Sequence, residues 1–157
     1  MKNLIVYYSL TGNTRFVAKK IALNTDSKLL ELKYANGDFN YHKALQYIIG
    51  SVQAVFHYKP HLKEFDIQNN KYDTLFIGTP VWAYGIAPTV RSFLHSKKIE
   101  VNNYVLFSTF KGNKGQAFQQ MKKYLPREKI TAKKGFKKVL ENKEKTEKEI
   151  KEWLSEI

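Results

Sequence analysis

The chain has 157 residues, the size of one compact domain with a core of its own. Hydrophobic residues make up 43% and aromatic residues 14%, which excludes a disordered chain, and 8 Gly with 4 Pro exclude a collagen-like one. With no Cys there is no disulfide, thiol nucleophile, Cys-ligated zinc or iron–sulfur cluster, and the net charge of +13 predicts affinity for anions or acidic partners.

Leu4-Ile5-Val6-Tyr7-Tyr8 is a continuous apolar run, the pattern of a strand buried on both faces. It is too short for a secretory leader, and no stretch approaches the about 20 apolar residues of a membrane span, so a soluble cytoplasmic protein is expected. Ser9 to Thr14 is polar, and Val17, Ala18 and Ile21 then recur at helical spacing. Lys28 to Tyr34 has the mixed pattern of an edge strand, and Asn36-Gly37 marks a loop. Ala44, Ile48, Val52 and Val55 predict a helix bounded by Pro60. Tyr72 to Gly78 is a second buried strand. Pro88 suits the first turn of a helix whose apolar face is Val90, Phe93 and Leu94. Tyr104 to Phe107 is the next strand. Phe118, Met121 and Leu125 mark a helix closed by Pro126, and Lys129 to Val139 carries a weaker strand pattern. The last helix presents Ile150, Trp153, Leu154 and Ile157 on one face and Lys/Glu pairs on the other.

Strand and helix alternate throughout, which predicts one α/β domain over residues 1–157, with a parallel sheet covered by helices on both faces. In such sheets ligands sit beyond the carboxyl ends of the strands, where the winding reverses. Three loops meet that condition. Ser9-Leu10-Thr11-Gly12-Asn13-Thr14 leaves a strand and opens a helix, whose free N–H groups suit a phosphate. No Lys follows its glycine, so it is not a Walker A loop, and no Gly-x-Gly-x-x-Gly occurs in the chain. Gly78-Thr79-Pro80-Val81-Trp82-Ala83-Tyr84-Gly85 sets two large aromatics between glycines, either as a shelf for a flat ligand or with Trp82 packed as a lid over the sheet end. Ser108-Thr109-Phe110-Lys111-Gly112-Asn113-Lys114-Gly115 is a polar rim, or in isolation an ordinary turn. Together they describe a site for a flat heteroaromatic ring with one phosphate.

These motifs resemble the flavodoxin family. Ser9 to Thr14 matches its Ser/Thr-x-Thr-Gly-x-Thr phosphate loop, Gly78 to Trp82 resembles its second loop, and Phe107-Ser108-Thr109 with Gly112 and Gly115 its third. The resemblance implies a flavodoxin-like, doubly wound sheet of five parallel strands in the order 2-1-3-4-5, binding FMN non-covalently. By the same resemblance, Ser9, Leu10, Thr11, Gly12, Asn13 and Thr14 would hold the phosphate. Thr79, Pro80, Val81, Trp82 and the Ala83-Tyr84-Gly85 backbone would meet the ring, with Trp82 stacking on it and a peptide between Trp82 and Gly85 facing flavin N5. Thr109, Phe110, Lys111, Gly112 and Gly115 would border the pyrimidine side.

The function implied is a single-domain electron carrier, with an FMN-dependent NAD(P)H oxidoreductase reducing a quinone as the alternative, and the chain a monomer or homodimer. Family carriers are acidic, whereas residues 74–127 hold one acid, Glu100, among eight Lys and Arg. That balance predicts a less negative second reduction potential and an acidic redox partner or an anionic dinucleotide. Diffuse positive charge gives nucleic acid only non-specific, salt-sensitive binding. No metal site is expected, because Pro60 separates His57 from His61 and no His-Glu-x-x-His frame exists.

Overall fold

The structure, a computed structural model, describes residues 2–35, 52, 58–65, 67, 71–96 and 99–157. The predicted helix over Ala44 to Val55, the Asn36-Gly37 loop, His42 and His57 lie outside these residues, except that Val52 is described, helical and exposed.

The strands are β1 (Asn3–Tyr7), β2 (Lys28–Glu31), β3 (Lys71–Trp82), β4 (Gly85–Ile86), β5 (Glu100–Phe110) and β6 (Ile130–Lys137). The helices are α1 (Asn13–Thr25), α2 (Pro88–Ser96), α3 (Ala117–Met121) and α4 (Lys143–Leu154). Five strands pair in parallel in the order β2-β1-β3-β5-β6, the predicted arrangement, and the two-residue β4 folds back antiparallel on β3.

Alternation along β1 shows why its apolar run is unbroken. Leu4, Val6 and Tyr8 face one core layer with α2 and α3, where Val90, Phe93, Ala117 and Met121 are buried. Ile5 and Tyr7 face the other, beneath α1 and α4, where Val17, Ala18, Ile21, Ile150 and Trp153 are buried. A strand covered on both sides has no solvent face to mark with polar residues.

Several boundaries differ from the sequence reading. β3 and β5 run on through Trp82 and Phe110, so Thr79 to Trp82 and Ser108 to Phe110 are strand and not loop. The ladder explains this: Thr79 and Pro80 pair in register with Ser108 and Thr109, each strand extending the other. α3 ends at Met121, short of Leu125, and α4 ends at Leu154, leaving Ile157 exposed and off the apolar face. No helix among the described residues is long and apolar enough to cross a membrane.

Candidate functional site

At the carboxyl edge of β1, β3 and β5 the three chain segments singled out above close on one cavity of about 670 Å³, within the usual range for small-molecule sites.

From the first segment, Leu10, Thr11, Asn13 and Thr14 line it. Gly12 adopts φ 91°, a left-handed conformation that glycine takes without a Cβ clash, and this lets α1 start directly beneath the loop. α1 has neither a side-chain cap nor an acid in its first turn, which leaves its first N–H groups for an anion. Two polar contacts fix the loop: Asn13 donates its Nδ2 to Thr11 Oγ1 at 2.9 Å, and Leu140 N–H donates to Asn13 Oδ1 at 3.1 Å. Thr14 Oγ1 lies 2.8 Å from Thr109 Oγ1, joining the first segment to the third inside the protein. Ser9 does not line the cavity; its hydroxyl is buried without a hydrogen-bond partner.

From the second segment, Pro80, Val81, Trp82, Ala83 and Tyr84 line the cavity, whereas Thr79 and Gly85 do not. Thr79 is fully buried and its Oγ1 accepts from Ala87 N–H at 3.0 Å, so it braces the chain's return from β4. Trp82 is 3% exposed, with its ring edge-on to Tyr8 at 5.4 Å. The indole packs into the core against Tyr8, and the residue also lines the cavity. Tyr84 is the exposed aromatic here, at 67%. Ala83 and Tyr84 are the two central residues of the β3–β4 hairpin, paired across Trp82 and Gly85, and both have positive φ, 43° and 62°.

From the third segment, Thr109, Phe110, Lys111, Gly112 and Asn113 line the cavity, and Gly115 sits behind it, against the Tyr84 backbone. Among the described residues the lining contains one cation, Lys111, and no His, Asp or Glu. Just outside, Arg15 makes a two-pronged contact with Glu31 at 2.6 to 3.1 Å, and Tyr7 donates to the same carboxylate at 3.4 Å. Burial first, and then the Glu31 charge, push the Tyr7 phenol up to about 12.

Sequence reasoning missed three residues. Arg91, Gln116 and Gln120 look like ordinary polar positions of helices, yet all three support the Ala83-Tyr84 turn from outside the cavity. No local pattern marks them, since their partners are 29 to 34 positions away along the chain.

The flavodoxin family profile matches residues 2–157. The crystal structure of a flavoprotein from Lactobacillus acidophilus NCFM in complex with FMN is 26% identical over 91% of this chain and 97% of that one, with a TM-score of 0.69. Structures of proteins from Bacteroides eggerthii and Bacteroides uniformis share the fold at 23% and 21% identity and TM-scores of 0.72 and 0.74. The first spans 99% of this chain and 97% of its own, the second 96% and 97%. No curated protein matches the sequence. With the family profile covering nearly its whole length, the chain belongs to the flavodoxin family.

Proposed function

We propose that the chain binds FMN non-covalently in this crevice and acts as a single-domain electron carrier. The observation that carries the reading is the convergence of all three segments on one cavity, at an uncapped helix start preceded by a positive-φ glycine. The family membership supports it, as does the similarity to a flavoprotein in complex with FMN. The residues present suit the cofactor: Thr11, Asn13, Thr14 and the first N–H groups of α1 offer donors to a phosphate, with the buried Ser9 hydroxyl at the head of the loop. Pro80, Val81, Trp82, Ala83, Tyr84 and Phe110 give the ring a largely apolar wall, and Thr109, Lys111 and Gly112 a polar border.

FMN supplies the electron storage; the protein's part is to hold the phosphate, orient the ring and keep water from one face of it. A carrier needs no proton-transfer group beside the ring, and among the described residues the lining has no His, Asp or Glu. Lys111, exposed at the rim with no carboxylate among the described lining residues, favours a second reading in which an anionic NAD(P)H delivers hydride and a quinone is the acceptor.

An absorbance spectrum of the purified protein mixed with FMN, followed by anaerobic titration with dithionite and then with NADPH, decides among these. Reduction by dithionite but not by NADPH supports the carrier. Steady NADPH oxidation with a quinone supports the reductase. A protein that takes up no FMN ends both readings.

A further inference from the structure

The hairpin turn between β3 and β4 is held in an unfavourable backbone conformation. A two-residue hairpin of this kind needs positive φ at both central positions, which is why Asn and Gly dominate there. This chain uses Ala83 and Tyr84 instead, at φ 43° and 62°, and such strain persists only where the surroundings impose it. The surroundings are specific. The Tyr84 carbonyl accepts from Gln116 N–H at 2.6 Å. The Ile86 N–H donates to Gln120 Oε1 at 3.1 Å, and the same oxygen accepts from the Arg91 guanidinium at 3.1 Å. Both groups aimed at that oxygen are donors, so its two lone pairs are matched and the orientation of the amide is determined. The Gln120 amide lies so close to Gly85 that a Cβ there would stand 2.7 Å from it.

Arg91 is 1% exposed and one of its terminal nitrogens has no hydrogen-bond partner. Burial of a cation on such terms is costly, and a helix that needed only to cover the sheet would carry an apolar residue at this position. Burial also lowers its pKa, and the Tyr124 hydroxyl partly restores it.

We infer that Arg91 and Gln120 are positioning residues for FMN: neither lines the cavity, and together they lock from behind the Ala83-Tyr84 turn that the ring would meet. Arg91 orients the Gln120 amide, Gln120 holds Ile86, and Gln116 holds Tyr84, so both arms of the turn are tied to the chain around α3 before the cofactor arrives. This rests on FMN binding in the crevice and is independent of which partner supplies the electrons.

The test uses the full chain loaded with FMN. Gln120→Met keeps the volume and removes the acceptor, Arg91→Met removes the guanidinium, and Gln120→Glu keeps an oxygen beside Arg91. Affinity is read by flavin fluorescence quenching, ring environment by visible circular dichroism, and stability by thermal unfolding of the apoprotein. Gln120→Met and Arg91→Met should each weaken FMN binding about tenfold, about 1.4 kcal/mol, and change the flavin dichroism, with Gln120→Glu within about threefold of the parent. Ser92→Ala, at the residue after Arg91, deletes a buried 2.7 Å bond to the Pro60 carbonyl and should lower stability and leave the dichroism unchanged. The inference falls if both Met variants bind within twofold with the parental spectrum, or if Ser92→Ala changes the spectrum as much as they do. Should Gln120→Met fail to fold, Arg91→Lys, which keeps the charge and loses the planar fork, is judged by the same criteria. A parent protein that takes no FMN defeats the binding reading itself; a parent that binds beside variants that bind equally defeats this inference alone.

Discussion

Thr14 and Thr109 share a single hydrogen bond of 2.8 Å in the interior, with Thr14 1% and Thr109 3% exposed. Replacing Thr14 with Val preserves shape and leaves the Thr109 hydroxyl buried without that partner, a loss of about 1 to 3 kcal/mol. Urea unfolding should show that loss for Thr14→Val, with most of the stability returned in Thr14→Ser. Gly12 is constrained differently. A Cβ there would meet only ordinary contact, 3.5 Å from Leu140 Cδ1, so the obstacle is φ 91° and not space. Gly12→Ala should therefore cost about 1 to 2 kcal/mol through the backbone, again measurable in urea, and should loosen FMN because the start of α1 shifts.

At the scale of elements, Tyr7, Arg15 and Glu31 tie β1, α1 and β2 together beside the first loop. The Tyr7 phenol is raised to about 12 in the folded protein, chiefly by burial, from an ordinary value of 10.0. The folded state then binds more protons than the unfolded chain between those values. Its contribution is complete below pH 10 and is lost as pH rises toward 12. Thermal unfolding from pH 9 to 12 should show a steeper fall for the parent than for Tyr7→Phe. α1 and α4 meet through Lys20 and Glu147 at 2.7 Å, and Lys20 holds the Glu147 carboxyl below its usual range. Both side chains are partly solvated, so Lys20→Ala should leave the urea unfolding midpoint nearly unchanged.

For the whole molecule, the consequence of the +13 charge is electrostatic. Among the described residues the cavity lining has Lys111 and no carboxylate, the reverse of a surface arranged to repel electrons from the cofactor. In an anaerobic redox titration the second midpoint should be less negative than in acidic flavodoxins. Lys111→Glu should move it further negative by on the order of tens of millivolts, since a solvent-screened unit charge at contact distance is worth about 1 kcal/mol. Association with an acidic redox partner should weaken steeply as salt rises, whereas binding through apolar contact would not.

The sequence by itself determined the alternation of buried strands with helices, hence a parallel sheet, and marked the three segments at its carboxyl edge, while the order of the five strands was implied by the resemblance to the flavodoxin family. Apolar runs such as Leu4 to Tyr8 report burial on both faces, and Ser9 to Thr14 reports helix-start chemistry, both within a few neighbouring residues. Tertiary structure decided the rest. Thr79 and Pro80 read locally as loop, and only pairing with β5 up to Pro80, and with β4 at Val81 and Trp82, keeps the strand going to Trp82, whose indole packs against Tyr8. Ala83 and Tyr84 carry no turn preference; the contacts from Gln116, Gln120 and Gly115 confine them to positive φ. Arg91 reads as an ordinary helix cation, yet it is buried and its guanidinium donates to Gln120 of α3. Local sequence records propensity and period, whereas which polar group meets which across about 30 residues depends on the assembled core.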